Sequence, residues 1–423
     1  HQNRKDYDKA EKILKDIISA DNKCDAAWYY LGMNYIAKSD VEMAEECFQA
    51  ATAIDPANFW YRYRLASLYA LTSRQELTID MYEKLLEDFP KKNDLYLDLV
   101  EMYASQREYQ KALDVLEEIE TVFGMSESLA VYRFNFLRMM NKPEEAFKSL
   151  EEYNKEYSSP FVLSTLADYQ MSMYNDSTAL AYYDEALSLM SDYGPALLGK
   201  AETYRITRRY EEYFSVLDEY MSSPATPMEP KADYLRAIIQ RADPKFVRSF
   251  LANLDETVMK AVDTHPKDSV ALQIAGVYFY STGRMDQAGL FFEENVKIYP
   301  ESFSANADYV EFLMYTDRWE ALSKAGRQAY KRFPGETAFL EMASTGDYQR
   351  GDYVKVLEAC DEILRVAPAD SSKTLRALST KGDVYHQLGE SKKAYKAYEK
   401  ALKINPNYVY VLNNYAYYLS EEG

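Results

Sequence analysis

Three histidines, three cysteines, three tryptophans and fourteen glycines are all that 423 residues hold of these types. Each shortage excludes something. A metal centre or a Cys–His nucleophile needs several His or Cys side chains brought together, and the supply here is thin. Cys24, Cys47 and Cys360 are an odd, sparse set, too few for a disulfide framework, and are expected as reduced thiols in or beside a core. Asp383 and His386 lie three residues apart, the spacing of two metal ligands on one helix face, but no further His or Cys joins them in sequence. The nearest thing to a phosphate loop, GDYQRG at 346–351, runs into Asp352 where a phosphate site needs Lys and Ser or Thr, so it reads as a turn. No metal, cofactor or catalytic set is expected.

Basic charge is also short. Lys and Arg number 49 against 68 Asp and Glu, a net charge of −19. Phosphate backbones are repelled by such a surface, which argues against nucleic acid as a partner and for a neutral or basic one. No stretch of 18 apolar residues stands in the chain, so no membrane span is expected in it. Glycine-rich hairpin signals and alternating runs are lacking too, which leaves an all-helical reading.

What is present is a period. Pro266, Pro300, Pro334 and Pro368 are each 34 residues apart, and Pro56 and Pro90 repeat the interval earlier. Between the first two, Trp28, Leu31, Gly32 and Tyr35 form an i, i+3, i+4, i+7 stripe, and Ala44, Phe48 and Ala51 form a second. Counting Asp25 as position 1 of a unit, these residues occupy positions 4, 7, 8, 11, 20, 24 and 27, with Pro56 at 32. The small residues at 8 and 20 are expected where the two helices approach most closely, as Gly276 with Ala288 and Gly382 with Ala394 repeat. The proline ends the second helix.

This pattern resembles the tetratricopeptide repeat (TPR) family over nearly the whole chain. The resemblance implies an all-α fold, a right-handed superhelical solenoid of antiparallel helix pairs, in which each pair buries its apolar face only against its neighbours. The register predicts first helices starting near Asp25, Phe59, Asn93, Glu127, Pro160, Gly194, Leu235, Ser269, Phe303, Thr337 and Leu375, with a half unit at each end. Phe134 and Ser344 break the small-residue rule at position 8, and Tyr213 and Leu322 break it at 20.

One irregularity divides the array. Residues 222–230 (SSPATPMEP) carry three prolines, and 75 residues separate Gly194 from Ser269. The expected organisation is an N-terminal array over 1–221, a linker or hinge at 222–232 and a C-terminal array over 233–423. After the linker, 231–241 reads as a short first helix and 246–264 as a long second one, while 369–373 lengthens the connection before Leu375. At the other end of the chain, Leu412, Tyr415, Ala416 and Leu419 form an apolar stripe that predicts self-association. The segment 412–423 and the 40 tyrosines resemble long TPR proteins of Bacteroidetes, many of which are exported to the cell envelope.

In this family, positions 2, 5, 9 and 12 of the first helices line a concave groove. Carried over, they place Tyr29, Met33, Trp60, Tyr63 and Ser67 there, followed by Asp94, Glu101, Asp168, Glu202, Glu311, Glu341 and Asp383. The lining is thus aromatic at one end and acidic beyond. TPR domains that clamp acidic chaperone termini carry Lys and Asn at positions 5 and 9 of their first unit. Tyr29 and Met33 stand there instead. The asparagine at position 6 that grips extended peptide backbones occurs only as Asn414 in the last unit. The expected function is a non-catalytic scaffold binding a protein or peptide in the groove. The alternative is the regulatory or targeting portion of a longer enzyme or of an envelope assembly protein.

Overall fold

The computed structural model describes residues 4–241 and 243–422, and helix contacts divide the chain into two units, 1–191 and 192–423. Unit 1 holds α1 (Arg4–Ala20), α2 (Asp25–Ala37), α3 (Val41–Ile54), α4 (Phe59–Leu71), α5 (Gln75–Asp88) and α6 (Asn93–Ser105). It continues with α7 (Tyr109–Phe123), α8 (Glu127–Met139), α9 (Pro143–Tyr157), α10 (Pro160–Ser172) and α11 (Asp176–Leu189). Unit 2 opens with α12 (Gly194–Ile206), α13 (Tyr210–Ser222), α14 (Met228–Arg241), α15 (Pro244–Ser249), α16 (Leu251–Thr264), α17 (Ser269–Ser281) and α18 (Met285–Ile298). Then follow α19 (Phe303–Tyr315), α20 (Trp319–Arg332), α21 (Thr337–Gln349), α22 (Tyr353–Val366), α23 (Ser371–Gln387), α24 (Ser391–Ile404) and α25 (Val409–Glu422). Each unit is an all-α solenoid of consecutive packed helix pairs, and no strand occurs among the described residues.

The loops follow from local chemistry. Within ten of the pairs the turn passes through one residue in the left-handed region: Ser39, Ser73, Arg107, Asn141, Tyr174 and Arg208, then Gly283, Asp317, Gly351 and Gly389. All stand at the same place in the repeat, two residues past the end of the first helix, whatever the side chain. Between pairs, the residue before each repeat proline leaves helical geometry, because the pyrrolidine ring crowds it. Asp55, Phe89, His265, Tyr299, Phe333 and Ala367 all have φ between −118° and −130° with ψ between 49° and 82°.

The close approach inside a pair lies between positions 8 and 24, a correction to the pairing of 8 with 20. A β-carbon on Gly32 would stand 2.7 Å from Cε1 of Phe48, one on Gly276 2.8 Å from Phe292, and one on Gly382 closer still to Tyr398. The residues at position 20 (Ala44, Ala288 and Ala394) are fully buried. Where position 8 is large, position 24 carries no aromatic ring: Val100 goes with Leu116, Phe134 with Leu150 and Val310 with Gly326.

The segment 222–232 lies inside unit 2, where it comprises the last residue of α13, the connection 223–227 and the start of α14, and its Ser223, Thr226, Met228 and Lys231 are buried. The first helix after it starts at Met228, one period after Gly194, so its start near Leu235 is corrected. The expected second helix over 246–264 is broken at Phe250 into α15 and α16, where Tyr210, Phe214, Phe246 and Phe250 pack ring on ring. Likewise α23 starts at Ser371, one period after Thr337, and is 17 residues long. The extra residues before Leu375 are therefore a helical turn, capped by the Asp370 carboxylate on the Lys373 amide, and not a longer loop. The residues 346–349 are also helical, and only Arg350 and Gly351 turn.

Candidate partner-binding surface

The aromatic residues of unit 1 divide by exposure. Tyr29 of α2 packs its ring 5.1 Å from Tyr61 and 5.9 Å from Phe48, and Met33 lies against the same apolar cluster. Tyr63 of α4 is held between Phe59 (5.6 Å) and Tyr82 (6.3 Å), both stacked. Trp60 is different: it is 54 % exposed, its ring 5.2 Å from Phe59, with the Lys92 ammonium 5.9 Å away. Ser67 returns its hydroxyl to the Tyr63 carbonyl at 2.8 Å.

Asp94 and Glu101 of α6 are exposed, and between them stands Asp98, one turn from each. Burial, with Glu101 and Asp94 beside it, pushes the Asp98 carboxyl above the usual carboxylate range. The family's groove positions 2, 5, 9 and 12 pass over Asp98 because it stands at position 6. The residue Asp168 of α10 is exposed by area, yet its carboxylate is turned in to accept the Tyr183 hydroxyl, and burial raises its pKa also.

In unit 2, Glu202 of α12 is engaged twice. It accepts from the Arg205 guanidinium at 2.8 Å and from the Tyr234 hydroxyl, which itself stands 3.0 Å from the hydroxyl of fully buried Tyr213. These residues, with Tyr210, Ile238 and Phe246, line a cavity of about 470 Å³. Glu311 of α19 is exposed. Glu341 of α21 pairs with Arg376 of α23 at 3.0 Å. Both face a cavity of about 340 Å³ shared with Thr345, Tyr348, Thr380, Asp383 and Tyr410.

Asp383 is 7 % exposed and fully engaged, accepting from Tyr398 (2.6 Å), Tyr410 (2.7 Å) and the amide of Asn414 (3.0 Å). It is a buried polar hub on which three donors converge. His386, which shares its helix face, stacks on Tyr418 at 3.4 Å. The partners of Asp168 and Asp383 occupy equal places, a tyrosine 15 residues further on at position 24. That spacing is visible in the sequence, but a tyrosine on an apolar stripe reads as core until its hydroxyl is given a destination. Cys47 and Cys360 are free and buried, and burial pushes their thiols up to about 11 and about 12.

Acidic charge also gathers on a different face. A cavity of about 760 Å³ between α5, α6 and α7 is rimmed by Glu76, Asp80, Glu83, Glu87, Glu108, Asp114 and Glu118 over a floor that includes Ile79, Leu86 and Leu99.

Models of the tetratricopeptide repeat match residues 25–58, 375–408 and 397–423. The chain carries tetratricopeptide repeats. The first match begins where α2 begins, and the second begins four residues inside α23, past the added turn. The TPR repeat-containing protein MJ1428 of Methanocaldococcus jannaschii is 18% identical over 436 aligned residues, covering 99% of this chain and 70% of that protein. Among solved structures, a chain of Naa15/Naa10 bound to HypK-THB superposes with a TM-score of 0.45 at 14% identity, covering 95% of this chain and 68% of its own. TPR repeats indicate protein partners. No helix among the described residues is long and apolar enough to cross a membrane.

Proposed function

We propose that this TPR array is a non-catalytic scaffold that binds a neutral or basic protein segment on the face lined by its first helices. The observation that supports it most directly is the α6 carboxylate row, Asp94, Asp98 and Glu101, following the exposed Trp60 of α4. Asp98 bears a charge that its surroundings disfavour. A bound cation would relieve that cost, whereas an acidic partner would add to it. Trp60 offers a large contact area with little side-chain freedom to lose, the usual build of an interface anchor. A photoreactive amino acid in place of Glu101 tests the reading. It should cross-link one protein that the same group in place of Glu144, on second helix α9, does not. Equal labelling from both positions would remove the first-helix face as the site.

A further inference from the structure

Lys231, in the first turn of α14, is wholly buried. Its ammonium group donates to the carbonyls of Met221 (2.9 Å) and Ser223 (2.6 Å) and lies 3.0 Å from Nε2 of His265. An ammonium has three protons and no lone pair, so the third contact is attractive only when Nε2 is an unprotonated acceptor. His265 ends α16, just before Pro266, and its ring also meets the backbone of Thr226. Four segments of chain therefore converge on one pair of side chains: the end of α13, the 223–227 connection, α14 and the end of α16. The charged groups acting on the imidazole are Lys231 from α14 and Asp268 from the start of α17, while the connection offers backbone. The Asp268 carboxylate is committed to capping α17 through the amides of Val270 (2.8 Å) and Ala271 (3.0 Å).

We propose that Lys231 and His265 form an acid-sensitive latch, which holds the first turn of α14 and the preceding connection against the end of α16 only while the imidazole is neutral. A second proton on the pair would set two cations in contact away from water, and one of the two groups must then leave. Burial and the neighbouring Lys231 charge both hold the His265 pKa below its ordinary value, and burial pushes Lys231 down to about 8. The sign follows from the depressed imidazole. As pH falls through the ordinary histidine range the unfolded chain takes the proton first, so the latch loses stability on acidification and keeps it above that range. The Lys231 shift lies at higher pH, where stability again rises with pH, so it does not oppose the effect. Release would reach further than the joint, because Tyr234, one turn along α14, carries the hydroxyl that Glu202 accepts.

Hydrogen exchange on the whole chain, compared at about pH 7.5 and about pH 5.5 after correction for intrinsic rates, tests this independently of any partner. Protection of amides in 228–235 and 258–265 should fall about tenfold or more at the lower pH relative to amides of α18. His265→Gln keeps an acceptor that cannot be protonated, and its protection should be the same at both values. Lys231→Met should also lose the pH dependence, at lower protection throughout. Unchanged protection in the parent at the lower pH, or a loss that persists in His265→Gln, overturns the latch. Should neither variant fold, the imidazole resonances of the parent decide: a His265 titrating at or above the ordinary value overturns it, and one titrating below supports it.

Discussion

Gly32 lies flat against the ring of Phe48, so near that a methyl group on residue 32 would stand 2.7 Å from Cε1. Gly32→Ala should therefore force the ring or the helix pair to shift, at a cost of about 1–3 kcal/mol. The units with Val100 opposite Leu116 show how the array accommodates a larger position 8. Phe48→Leu should accordingly offset part of the Gly32→Ala loss, and thermal unfolding of the two single variants and the double variant gives the coupling. Additive losses would mean that the two residues do not share one space.

The left-handed turn residue yields a second test. Tyr174 has φ 61° and is 92 % exposed, so it accepts an unfavourable backbone with no packing in return. Tyr174→Gly should raise stability by about 0.5–1 kcal/mol, since glycine adopts this conformation without the β-carbon clash. Gly283→Ala, with φ 80° at the equivalent place, should lower it by about 1 kcal/mol. The melting temperature should move in opposite directions in the two variants.

Asp98 gives a pH-dependent test. Its pKa in the folded protein is raised, so above that value the folded state carries a charge it disfavours more than the unfolded chain does. Asp98→Asn should stabilise the protein at neutral pH, and the gain should shrink as pH falls, vanishing below the ordinary aspartate range. A gain that is constant across pH would point to hydrogen bonding of the new amide instead.

Nine first helices start on the residue that the 34-residue register assigns, from Asp25 to Thr337, because a stripe of small and apolar residues bounded by proline has few other solutions. The two misplaced starts, Leu235 for Met228 and Leu375 for Ser371, have one cause. Each was fixed by apolar residues that do pack, whereas the chain keeps its period at the helix start and absorbs the additional residues afterwards, as a broken helix in one unit and an added turn in the other. The surface was less legible. The groove positions carried over from the family selected Asp383 and Glu202 for their charge but could not show that the hydroxyls of Tyr234, Tyr398 and Tyr410 already occupy them. Exposure is set by those long-range partners, which no periodicity encodes.

The proposed binding face can be divided by mechanism. Trp60→Ala removes an exposed ring and leaves the Tyr63 stack between Phe59 and Tyr82 in place, so its effect on binding can be read without loss of fold. If Trp60 is an anchor, the variant should weaken a captured partner by about 2 kcal/mol or more, mainly through faster dissociation. Asp94→Lys with Glu101→Lys acts differently, because exposed rim charges steer encounter more than they hold the complex. That variant should slow association with a basic partner and flatten its dependence on salt, with dissociation little changed. Surface plasmon resonance at two salt concentrations separates the two effects. Parent-like kinetics in both variants, with circular dichroism unchanged, would move attention from this face to the acidic cavity between α5 and α7, where Asp80→Lys with Glu118→Lys is the corresponding substitution.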